Sequence, residues 1–88
     1  MHLIVGSAPG AILFGTRGNF TQGERVYLLV LYFPDNAGSF QRALIRLTWA
    51  ADSSNLARLA LGFPEEVAAH IAWSQGDLAQ RFDKEVNA

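Results

Sequence analysis

The sequence predicts an α+β domain: an antiparallel sheet of about four strands over residues 3–50, then two to three helices over residues 53–86 on one sheet face. Three observations predict it. Val26-Tyr27-Leu28-Leu29-Val30-Leu31-Tyr32-Phe33 runs without a polar break, entered by Glu24-Arg25 and closed by Pro34. Composition shifts near residue 50, with six of the eight glycines and most β-branched and aromatic residues before it, and Ala, Leu and charge after it. Charge divides at the same place, from net +2 over residues 1–51 to net −3 over residues 52–88.

Each element has a local reason. Leu3–Val5 reads as a short strand, and Ser7-Ala8-Pro9-Gly10 as a turn with Pro and Gly in their usual turn places. Ala11–Thr16 is the second strand, ended by Gly18-Asn19, with Phe20–Gly23 continuing a loop. Glu24–Phe33 is the third and longest. On a strand, Val26, Leu28, Val30 and Tyr32 would share one face and Tyr27, Leu29, Leu31 and Phe33 the other. A sheet covered on one side should alternate, so the second face calls for a cover. Pro34-Asp35-Asn36-Ala37-Gly38-Ser39 is dense in turn formers and reads as a hairpin loop. Phe40–Ala50 is the fourth strand, with Ala43, Ile45, Leu47 and Trp49 on one face and Arg42, Arg46 and Thr48 on the other, interrupted by Leu44.

The second part reads as helices. Asp52 is an N-cap, Leu56, Leu59, Ala60 and Phe63 follow helical spacing, and Gly62 is placed as the residue after the helix. Pro64 opens the next helix, with Glu65 and Glu66 favourable to its dipole. Val67 and Ile71 lie along it, with Trp73 on a flank. Gly76 ends it and Asp77 caps a third, whose Leu78, Phe82 and Val86 form one stripe.

Composition excludes several function classes. With 88 residues the chain is one domain. No cysteine means no disulfide and no thiolate metal site, which fits a reducing cytoplasm. A net charge of −1 offers no broad field for nucleic acid or an anionic membrane. The apolar stretches are short for a membrane helix, and the first residues lack the basic start of a signal peptide. We therefore expect a soluble cytoplasmic protein without a membrane or nucleic-acid partner.

Catalytic and metal constellations are thin. The histidines are His2 and His70, and Glu66-to-His70 spacing suggests an exposed i,i+4 pair more readily than a catalytic base or two metal ligands. Gly10 and Gly15-Thr16 have the outer spacing of a phosphate loop, but no Lys precedes the Thr. Helix–Gly–helix around Gly62 could suggest a DNA reader, yet the second helix opens on Glu65-Glu66, the wrong charge for phosphate. No enzyme activity and no cofactor is expected.

Two binding readings remain. In the first, the chain is a non-catalytic interaction module that binds a second copy of itself or a larger protein through its sheet. Tyr27, Leu29, Leu31 and Phe33 would form the surface, beside Arg42 and Arg46, with Trp73 as a further anchor. Half its residues are apolar, above the usual ~45%, which is much for a small domain to hide. By size and composition it is comparable to accessory proteins of phages and mobile elements, some of which inhibit host defence enzymes. In the second reading, Arg25, Arg42 and Arg46 grip a small anion or nucleotide. Trp49 is expected in the core, because it shares a strand face with Ile45 and Leu47.

Overall fold

A computed structural model describes residues 19–87, and they form a helical bundle. The helices are α1 Gln22–Tyr32, α2 Ser39–Ala50, α3 Ser53–Gly62, α4 Pro64–Ser74 and α5 Asp77–Val86, with a 3-10 turn at Pro34–Asn36 between the first two. Among the described residues there is no strand. The α+β expectation is therefore overturned: the expected strand Glu24–Phe33 is helical up to Tyr32, with Phe33 the C-cap, and Phe40–Ala50 is helical throughout. The strands expected at Leu3–Val5 and Ala11–Thr16 lie outside the described residues.

Helix α1 explains the apolar run. Thr21 caps it by accepting from the Glu24 backbone N–H at 3.0 Å, and the Glu24 carboxylate accepts from the Thr21 N–H at 2.9 Å. This reciprocal capping box satisfies two of the orphan donors of the first turn. Val26, Tyr27, Leu28 and Leu29 are then all buried in succession. Four consecutive residues point to most sides of a helix, so this stretch of α1 is covered around most of its circumference. A helix wrapped on all sides shows no amphipathic period, and its sequence looks like that of a strand buried on both faces.

Helix α4 is in contact with all four others, and the core draws on several helices. Ile45 comes from α2, Ala69 from α4, and Leu78 and Phe82 from α5; Phe20 and Ala37 complete the core. Helix α4 runs parallel to α1. Gly23 meets Glu65, Tyr27 meets His70, and Tyr32 meets Trp73 in that order along both. The two backbones approach closely at Gly23, whose N–H donates to Glu65 Oε1 at 2.9 Å. Helix α5 is tied across by Arg81, which pairs with Glu24 on α1 at 2.5 Å and with Asp77 one turn earlier at 3.1 Å.

The helices expected after residue 52 are present, with small shifts at their ends. Asp52 caps α3, accepting from the Asn55 N–H at 2.9 Å. Gly62 is the last residue of α3 and Phe63 its C-cap, so the chain leaves without a left-handed residue. Pro64 opens α4. Gly76, at φ 82°, is the N-cap of α5, and Asp77 is the first helical residue rather than the cap. Leu78 and Phe82 are buried as the stripe requires, with Val86 packed against the core.

Candidate functional site

The expected sheet surface does not exist, and its residues scatter around a helix. Tyr27 and Leu29 are in the core, Leu31 is half-buried against it, and Phe33 is the partly exposed C-cap of α1. Residues two apart on a helix sit about 200° from one another, so a set that shares a strand face cannot share a helix face. Trp73 is half-buried, its ring 6.0 Å from that of Tyr27 and 6.3 Å from that of Tyr32. Arg42 donates to the Pro34 and Ala37 carbonyls at 3.2 and 3.0 Å, closing the 3-10 turn onto α2. Arg46 is exposed one turn further along α2, and Arg25 is half-buried on α1.

His70 does not form the exposed pair with Glu66. It is buried, and its Nδ1 lies 2.9 Å from the Tyr27 hydroxyl. Burial pushes the Tyr27 phenol up to about 12, partly offset by a hydrogen bond from Trp49. An indole can only donate. The Tyr27 oxygen therefore accepts from Trp49, and its hydroxyl shares a hydrogen bond with His70 Nδ1 whose direction follows the imidazole tautomer. Burial holds the His70 pKa below the usual imidazole range. The Trp49 ring stands edge-on to His70 at 5.2 Å, so Trp49 is not the core residue expected: it is 55% exposed and lies across the seam between α2 and α4. This relay joins α1, α2 and α4. Tyr27 is fully buried and His70 nearly so, and the cluster lies where the three helices pack together.

The open surface lies elsewhere, between α2 and α3. Helix α3 buries no residue, although half its residues are apolar. It packs along α4 and stands away from α1. Helix α2 turns Leu44, Ile45 and Thr48 inward. Of its other apolar residues, Phe40, Ala43, Leu47 and Ala50 are spaced i, i+3, i+7, i+10 and exposed, as is Trp49 on the side toward α4. Phe40 is 64% and Leu47 49% exposed, the former with its ring 5.8 Å from that of Phe63. Two helices that diverge from a short Ala51-Asp52 connection leave a groove of about 390 Å³. Leu47, Ala50 and Ala51 form one wall and Asn55, Arg58, Leu59, Gly62 and Phe63 the other.

Sequence reasoning missed this wall pair, because it placed Leu47 on the buried face of a strand. The helical spacing of Phe40, Ala43, Leu47 and Ala50 was available, but the alternation of Ala43, Ile45, Leu47 and Trp49 fits the same letters. Among the described residues no group of three or more His, Asp or Glu could hold a metal ion, and no helix is long and apolar enough to cross a membrane. Comparison with protein-family models, with curated proteins and with solved structures finds no match to this chain.

Proposed function

We propose that this protein is a non-catalytic interaction module that takes an apolar helix of a protein partner into the groove between α2 and α3. One observation carries the proposal: α3 buries none of its residues while facing an exposed apolar stripe on α2. A surface helix normally turns an apolar stripe to a core. Here two stripes face a shared cleft, and the missing third member is supplied by a partner. The cleft has the form used in helix-in-groove recognition, where anchors at i, i+3/i+4 and i+7 enter an apolar channel. The absence of cysteine suits the reducing cytoplasm as the setting. The anion-binding alternative is the weaker reading, because the Arg42 guanidinium already serves two carbonyls.

The test is a titration of the ¹⁵N-labelled chain with a synthetic helical peptide of about three turns that carries leucine anchors and no net charge. Amide shifts concentrated at Leu47, Leu59 and Phe63, with a Kd on the order of 10–100 μM, support the proposal. Leu47→Glu should abolish them with the circular dichroism spectrum intact. Shifts spread over all helices, or equal binding by Leu47→Glu, would sink it.

A further inference from the structure

We infer that the partner element seated between α2 and α3 is an acidic amphipathic helix, with apolar anchors on the groove floor and carboxylates against Arg46 and Arg58. The inference rests on the groove being a docking site, and it adds the charge of the occupant.

The charge of the site carries it. Residues 39–62 hold Arg42, Arg46 and Arg58 against Asp52, net +2, although the whole chain is net −1. Asp52 is at the hairpin tip, with its carboxylate on the Asn55 N–H. Arg42 is turned to the Pro34 and Ala37 carbonyls. Arg58 lines the α3 wall of the groove. Arg46 is exposed one turn before Ala50 of the opposite wall, on the flank of that wall. Neither Arg46 nor Arg58 has a carboxylate within 4.0 Å among the described residues, whereas Arg81 has two. Both can therefore pair with a guest's carboxylates without breaking an existing ion pair.

The same charge counts against the two nearest alternative occupants. A second copy docked through this face would set one net +2 hairpin against another, and like charges brought together oppose association. Residues 1–18 of the same chain include apolar runs that could fill a groove, but they carry Arg17 and no carboxylate. An acidic helix is the occupant that satisfies both the apolar floor and the cationic rims.

The experiment compares three probe peptides with the same leucine anchors, flanked by glutamate, by glutamine or by lysine, binding to the full chain by fluorescence anisotropy. Exposed ion pairs are individually weak and salt-screened. The expected result is about tenfold tighter binding of the glutamate than of the lysine peptide at low salt, shrinking as salt rises. Arg46→Glu with Arg58→Glu should reverse the order and leave the glutamine peptide within about twofold. Both side chains are exposed, so the variant should fold, which circular dichroism checks. Equal binding of all three peptides overturns the acidic occupant and leaves the docking site standing. No binding by any of them overturns both. A dimer at tens of micromolar that Leu47→Glu dissociates identifies a second copy as the occupant and overturns the inference. So does peptide binding that appears only after Ile12→Glu and Leu13→Glu, which would place residues 1–18 in the groove.

Discussion

Gly23→Ala should destabilise this protein, although the same change in an open helix would stabilise it. Alanine is favoured over glycine inside a helix by about 1 kcal/mol. Gly23 sits in the first turn of α1 against the first turn of α4. A Cβ there would stand 2.5 Å from the Glu65 carbonyl carbon and 2.7 Å from its oxygen, besides meeting the Glu65 Cβ. Ordinary contact begins near 3.4 Å. The obstacle is backbone, so no rotamer change relieves it, and restoring ordinary contact needs the two helices to separate by close to an ångström at this point. Overpacking of this kind costs roughly 1–3 kcal/mol. Separation also stretches the Gly23 N–H bond to Glu65 Oε1, a contribution of about 1 kcal/mol. Set against the helix gain, the net loss is about 2 kcal/mol, or roughly 8–16 °C in Tm for a domain of this size. Thermal unfolding followed at 222 nm measures it. An unchanged or raised Tm would refute the close approach of α1 and α4 at Gly23.

Three further outcomes test the bundle. Tyr27→Phe removes the hydroxyl between Trp49 and His70 and leaves a buried imidazole nitrogen without its hydrogen-bond partner; urea unfolding should show a loss of roughly 1–3 kcal/mol. Because burial lowers the His70 pKa, the unfolded chain binds a proton below about pH 6.5 that the folded chain refuses, so stability is full above that pH and falls as pH drops toward the folded pKa. The slope is up to ~1.4 kcal/mol per pH unit, and a Tm difference between wild type and His70→Gln that does not change from pH 7.5 to pH 5 would count against it. Thr21→Ala breaks the capping box of α1 and should cost about 1 kcal/mol, whereas Thr21→Ser should keep most of it; equal stabilities for the two would show that the cap contributes nothing.

The two halves of the chain differed in how far they could be read, for reasons visible in particular residues. After residue 52 each helix carries local punctuation. Asp52 caps α3, Pro64 starts α4, Gly76 turns the chain, and Leu78, Phe82 and Val86 mark one face of α5. These signals act within a few residues, so they survive without tertiary context. Before residue 52 the signals conflict. Thr21 and Glu24, three apart ahead of an apolar run, are a helix start in sequence, and the β-rich composition of Val26–Phe33 outweighed them. In Phe40–Ala50 the same apolar letters fit a period of two and a period of 3.6.

The chain by itself determined the Asp52 cap of α3, the Pro64 start of α4, the amphipathic face of α5, the lack of cysteine and the near-neutral charge. These follow from side chains acting on their own neighbourhood or from composition alone. Tertiary structure decided that residues 26–32 are helical, because four buried residues in succession acquire their period only from what surrounds them. It also decided that Tyr27 and Leu29 are core, that His70 takes Tyr27 rather than Glu66, and that Leu47 faces solvent across from Leu59. Each of these depends on which helix lies against which, a relation between residues far apart in the chain that local spacing does not encode.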